Sequence, residues 1–204
     1  MGSNYELNQG DQFIFGVDVS LSMKTKDVKG MSRIDALKEQ VITFIGEASK
    51  YDPDGVDVIT FGQNVTHLGA LTASQAKDAI APLQASEPGT DTAGLIRKAW
   101  ELHTAKASDD QTVLFVATDG EPNDRAAVKS EIRKIAAQQE ADNETFSISF
   151  LTVGTIDSGL QSFLTELDDT LNAKDKNGAD IDIVDVKALN DIDFMTAFVG
   201  AVHD

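Results

Sequence analysis

Cysteine is absent from the 204 residues, which excludes disulfides, thiolate metal sites and cysteine nucleophiles together. Histidine is nearly absent. His67, His103 and His203 are too few for imidazole-rich zinc ligation and read as surface or packing residues. No apolar stretch approaches the ~18–20 residues needed to span a bilayer; FVGAV near the end is short. The opening MGSNYELNQGDQF has neither a basic start nor an apolar run of roughly 7–15 residues, so no secretory signal is expected and the protein reads as cytoplasmic. Basic residues are scarce as well, 17 against 34 acids for a formal net charge of −17. Residues 140–204 alone carry 14 acids against Lys174, Lys176 and Lys187. A polyanion approaching such a surface gains no counterion release and meets repulsion, which argues against nucleic acid and anionic membranes as partners.

What is present suffices for one sizeable core. With 41% apolar residues, the chain reads as an N-terminal extension over 1–10 and a single domain over 11–204. Five apolar segments have strand length: Phe13–Val19, Val56–Phe61, Thr112–Thr118, Ser147–Val153 and Ile181–Val186. Several are apolar nearly throughout, as in strands buried on both faces. Val65-Thr66-His67-Leu68, after a Gly62-Gln63-Asn64 turn, reads as an antiparallel hairpin partner at a sheet edge. Helical spacing links Ile34, Leu37, Val41, Phe44 and Ile45, then Leu95, Ile96, Ala99 and Leu102, then Val128, Ile132 and Ile135. Ala73–Leu83, Leu160–Leu171 and Ile192–Val202 add further helices, the last capped by Asp191. Strands alternating with helices predict an α/β fold: a doubly wound, Rossmann-like, mostly parallel sheet with one antiparallel edge strand and helices on both faces.

In such sheets ligands bind beyond the carboxyl ends of the strands. The first strand ends in Asp18-Val19-Ser20-Leu21-Ser22, the central one in Thr118-Asp119-Gly120, and Gly89-Thr90-Asp91-Thr92 precedes a helix. Asp18, Ser20 and Ser22, two apart on an extended segment, would face a common point. Such oxygen ligands suit Mg²⁺, and also Mn²⁺ or Ca²⁺. Thr90 adds a hydroxyl, and Asp119 can accept from Ser20, Ser22 or a metal-bound water.

DVSLS, GTDT and TDGE, in that order on an alternating β/α chain, resemble the metal-ion-dependent adhesion site of the von Willebrand factor type A (VWA) family. The resemblance spans roughly residues 11–203. KYDPDGVDVITFG, TDGEPNDRAAV and SISFLTVG are similar to small, stand-alone intracellular microbial members. It implies Asp18, Ser20, Ser22, Thr90 and Asp119 as the metal-site residues, with the three hydroxyls nearest the ion and the carboxylates acting through water or hydroxyl contacts. It further implies a protein partner whose Glu or Asp side chain completes the coordination. Some members work beside AAA+ ATPases as client adaptors, so such a system is a further partner class. Two departures stand out: Leu21 occupies a position where the family often has Gly, and residues 24–32 form a longer basic loop. The net charge predicts a partner that is basic around its coordinating carboxylate, although Lys24, Lys26, Lys29 and Arg125 can reverse the field at the rim.

Alternatives accompany this reading. The five residues could serve only as caps and turns, and for Asp91 or Thr92 a helix-cap role is expected. Glu121-Pro122-Asn123-Asp124 reads as a turn and helix start. Asp175–Asp182 lacks the ordered spacing and terminal Glu of a calcium loop and reads as the approach to the last strand. Trp100 reads as core. A Mg²⁺-dependent aspartyl-phosphate hydrolase would want D-x-D where Ser20 stands, so the protein reads as a binding module and not an enzyme. A metal-independent scaffold, binding through an edge strand or helix face, is the other alternative.

Overall fold

The computed structural model describes residues 10–106 and 110–188. The expected helix Ile192–Val202 and most of the expected N-terminal extension lie outside them. The strands are β1 (Gln12–Asp18), β2 (Val56–Phe61), β3 (Val65–Leu71), β4 (Thr112–Thr118), β5 (Phe146–Thr152) and β6 (Val184–Ala188). Between them run α1 (Arg33–Ala48), α2 (Ala73–Ile80), α3 (Thr92–Lys106), α4 (Arg125–Ala136) and α5 (Ser158–Asp169), with a 3₁₀ turn at Leu21–Lys24. They form one sheet in the order β3-β2-β1-β4-β5-β6. Among the described strands only the β2–β3 pairing is antiparallel. This is the doubly wound sheet with an antiparallel edge that the sequence predicts.

Side-chain alternation divides the core. Phe13, Phe15 and Val17 of β1 pack with α1 and α2 on one face. Ile14 joins β2, β4 and β5 residues against α3, α4 and α5 on the other. The aromatic rings of Phe13, Phe15 and Phe115 gather around Phe44 of α1, with centroids 6.2, 5.3 and 5.0 Å away. At Gly16 the opposite face is left thin, because a Cβ there would lie 2.5 Å from Leu95 Cδ2. Its absence lets α3 seat close to the sheet.

Helix starts follow capping chemistry. Ser32, Asp124 and Asp157 accept from Asp35, Ala127 and Leu160 N–H groups, and Asp91 accepts from Gly94 N–H at 2.9 Å, each satisfying an otherwise orphaned donor. Trp100 packs edge-on against Phe146, 5.4 Å between centroids, as expected of a core residue. His103 donates to or accepts from Thr112 Oγ1 at 2.8 Å, and burial lowers its pKa. Several boundaries differ from expectation: β1 and β5 each sit one residue earlier than Phe13–Val19 and Ser147–Val153, β3 runs on to Leu71, α2 stops at Ile80 rather than Leu83, and α5 starts at Ser158 rather than Leu160. The last strand starts at Val184 rather than Ile181, and α5 ends at Asp169 rather than Leu171. In these last two places buried apolar side chains, Ile181, Ile183 and Leu171, continue the hydrophobic pattern beyond the regular element.

Candidate metal centre

The strand order reverses between β1 and β4, since β1 leads to β2 and β3 on one side while β4, β5 and β6 continue on the other. Neighbouring connections there diverge and leave a crevice at the carboxyl edge. Asp18 ends β1 and Asp119 follows the last residue of β4. Thr90 arrives on a third segment, which runs beside the first. Ser86 and Glu87 N–H groups donate to Val19 O, and Leu21 N–H donates to Glu87 O. Asn123 then locks this segment to the β4–α4 turn: Thr90 N–H donates to Asn123 Oδ1 at 2.8 Å, and Asn123 N–H to Thr90 O at 2.9 Å.

The five residues lie together, though not by extended geometry alone. Ser22 sits in the 3₁₀ turn rather than on a continued strand, and its Oγ still comes within 2.9 Å of Ser20 Oγ. Ser22 Oγ donates to Asp119 Oδ1 at 2.6 Å. Asp18 lies behind them, fully buried, with Oδ1 accepting from Ser20 N–H at 2.8 Å and Oδ2 from Thr118 Oγ1 at 2.6 Å. Burial pushes its pKa up to about 6 despite those hydrogen bonds. With both oxygens engaged and no access, Asp18 is not presented as a phosphoryl nucleophile.

Gly120 marks the open part of the cradle. A Cβ there would meet Ser22 Oγ at 3.5 Å and Thr90 Oγ1 at 3.8 Å, so these two hydroxyls converge on the space a side chain would occupy. Thr90 is buried, yet its hydroxyl makes no hydrogen bond to any described residue, its backbone alone being used by Asn123. Ser22 is exposed, and through it the cradle reaches solvent. Three hydroxyls in front of two carboxylates form a hard-oxygen donor set that fits a small divalent cation.

Arg33, unforeseen from the sequence, completes the site. Its Nη1 donates to Asp119 Oδ2 at 2.7 Å, its Nε and Nη2 to Asp27 at 2.9 and 2.6 Å, and Nη2 also to Thr155 O at 2.7 Å. The pairing with Asp27 first, and Asp119 next, raises its pKa, while Asp27 is held well below the usual carboxylate range. Gly154, at φ +71°, gives way to it, since a Cβ there would collide with Arg33 Nε. The signal that could have found Arg33 is a cation in a first helical turn, where the helix dipole favours an anion. Arg125, expected to help reverse the field at the rim, pairs with Glu121, Nε to Oε2 at 2.6 Å.

A family model described as the von Willebrand factor type A domain matches residues 13–121. No curated protein matches the chain. Among solved structures, the SpRpn10 VWA domain aligns over 92% of this chain and 93% of its own, at TM-score 0.61 and 13% identity. Manganese-loaded Plasmodium vivax TRAP protein aligns over 98% of this chain and 74% of its own, at TM-score 0.59 and 14% identity. Proximal thread matrix protein 1 from the mussel byssus, with a zinc-occupied MIDAS motif, aligns over 97% of this chain at TM-score 0.61 and 17% identity. This chain spans 48% of that mussel protein chain. At these identities the structural likeness speaks to the fold. The family match covers more than half of the chain and contains Asp18, Ser20, Ser22, Thr90 and Asp119, and the protein belongs to the von Willebrand factor type A domain family.

Proposed function

We propose that this protein is a metal-dependent protein-binding module, in which a divalent cation, Mg²⁺ or Mn²⁺, engages a Glu or Asp side chain of a protein partner. The observation that carries this reading is the convergence of the Ser22 and Thr90 hydroxyls on the space beside Gly120, with Asp18 and Asp119 behind them. Ser20, Ser22 and Thr90 would hold the ion. Asp18 orients the loop through Ser20 N–H, and Asp119 orients Ser22 through its hydroxyl. A divalent cation on hydroxyl ligands is under-neutralised and so supplies attraction for an external oxyanion. Similar structures described as manganese-loaded and as having a zinc-occupied MIDAS motif support a divalent cation as the ligand.

Thermal melts test the reading. After EDTA treatment, stepwise Mg²⁺ or Mn²⁺ is expected to raise the stability of wild type by RT ln(1 + [L]/Kd), about 2.7 kcal/mol at a hundred times Kd. Ser22→Ala, which removes an exposed hydroxyl, is expected to lose most of that rise. An unchanged wild-type melt across millimolar cation would instead favour a metal-independent scaffold. Asp119→Ala is a poorer control, because it strands the buried Arg33 charge whatever the metal does.

A further inference from the structure

The segment between β1 and α1 differs in charge from the rest of the molecule. Lys24, Lys26 and Lys29 are exposed and form no salt bridge with any described residue. Every other lysine and arginine except Lys77 and Arg133 is paired with a carboxylate. Asp27, the one acid among residues 21–31, is consumed by Arg33. The segment is therefore locally positive on a chain of net charge −17.

The same segment is apolar where apolar side chains are otherwise covered. Leu21 at 48% exposure and Met31 at 36% are the exposed large hydrophobics among the described residues. Leu21 lies between Ser20 and Ser22 in sequence, at the lip of the cradle. The loop is also built to hold its shape. Met23 is fully buried beneath it, Thr25 N–H donates to Ser22 O, Met31 N–H to Val28 O, and Arg33 N–H to Thr25 O. Asp27, gripped by Arg33, accepts in addition from Thr155 N–H at 3.1 Å. A surface fixed before binding loses little entropy on binding.

We infer that this loop selects the partner of the proposed metal site, and that the partner presents an acidic segment with an apolar residue beside its coordinating carboxylate. The inference rests on the metal-bridged reading above and reverses the expectation, drawn from net charge alone, of a basic partner. An acidic segment is repelled by most of this surface and attracted at the lysine rim, so the field both orients it and suppresses docking elsewhere. Leu21 would then cover the apolar neighbour and exclude water from the rim of the coordinating group.

The test is a selection of random peptides displayed on phage against the full chain in millimolar Mn²⁺, followed by fluorescence anisotropy of the enriched peptides. Enriched sequences should carry an Asp or Glu flanked by further acids and a leucine-like residue. The combined variant Lys24→Glu, Lys26→Glu, Lys29→Glu should bind them roughly ten-fold more weakly at low ionic strength, the difference shrinking as salt screens it. Leu21→Gly should weaken them several-fold. All four side chains are exposed, so metal-free melting temperatures should stay near wild type.

Enrichment of neutral or basic flanks, indifference to the charge reversal, or failure to enrich any peptide would overturn the inference. The two readings separate cleanly. Binding abolished by EDTA and by Ser22→Ala but untouched by the lysine reversal keeps the metal site and removes the loop's role. Acidic peptides that respond to the reversal but ignore EDTA keep the loop's preference and remove the metal bridge on which the partner assignment depends.

Discussion

Arg33 joins Asp119, Asp27 and the Thr155 carbonyl, so one side chain ties together the ends of β4, the β1–α1 loop and the β5–α5 loop. Its side chain is 9% exposed and that of Asp119 wholly buried. Removing one member of such a pair leaves a buried charge uncompensated, which costs about 3–5 kcal/mol. Arg33→Met should lose about that much in urea denaturation, with Arg33→Lys in between; a loss below ~1 kcal/mol would mean the pair contributes little. Asp52 illustrates the opposite case, at the other end of the sheet. It is fully buried, one oxygen accepts from Phe13 N–H at 3.2 Å, and the other has no hydrogen-bond partner. Burial raises its pKa from 3.8 to about 6. Because the folded state holds that proton more tightly than the unfolded chain, stability from this group falls as pH rises between those values and is level above them. Asp52→Asn should flatten that fall, by about 2 kcal/mol between about pH 4 and about pH 7. Denaturation of both proteins at about pH 4 and about pH 7 checks it, and an equal difference at both would refute it. Asp18, Ser20, Ser22, Thr90 and Asp119 were legible as a group because short motifs fix their local order. Arg33 and Asn123 were not, because their partners are remote in sequence and brought near only by folding.

Elements were legible wherever burial and regular structure coincide. β2 and β4 have the bounds their apolar runs predict, and α3 spans the predicted spacing of Leu95, Ile96, Ala99 and Leu102. β3 continues to Leu71 rather than stopping at Leu68, because an edge strand with half-buried Gly69 and exposed Ala70 carries little hydrophobic signal. The 3₁₀ turn carries none at all, being held by the Met23 side chain and backbone hydrogen bonds. At this scale α1 matters most to the site, since it carries Arg33 at its start and Phe44 in the ring cluster over β1 and β4. Phe44→Ala should cost about 3–5 kcal/mol, as a large ring leaves a cavity the rigid sheet cannot close. Calorimetric melting reads this directly. A cost under ~1 kcal/mol would show that α1 is seated by something other than the cluster.

Across the whole molecule, two features meet at one edge. The strand order reverses between β1 and β4, which opens the crevice, and the loop that runs on from Ser22 carries three exposed lysines without a salt bridge to any described residue, on a chain of net charge −17. The fold class followed from alternation of strands and helices, whereas the field at the rim required knowing which cations are already paired. The central claim is that the cradle holds a divalent cation through its hydroxyls, and Thr90→Val isolates it. The substitution keeps shape and removes a hydroxyl with no described hydrogen-bond partner, so the metal-free protein should lose no hydrogen bond and fold as wild type does. Free Mn²⁺ followed by electron paramagnetic resonance during titration should show one ion taken up per wild-type chain and uptake weakened at least roughly ten-fold in Thr90→Val, the scale of one lost contact. Equal uptake by both proteins, or none by wild type at millimolar Mn²⁺, would contradict the account.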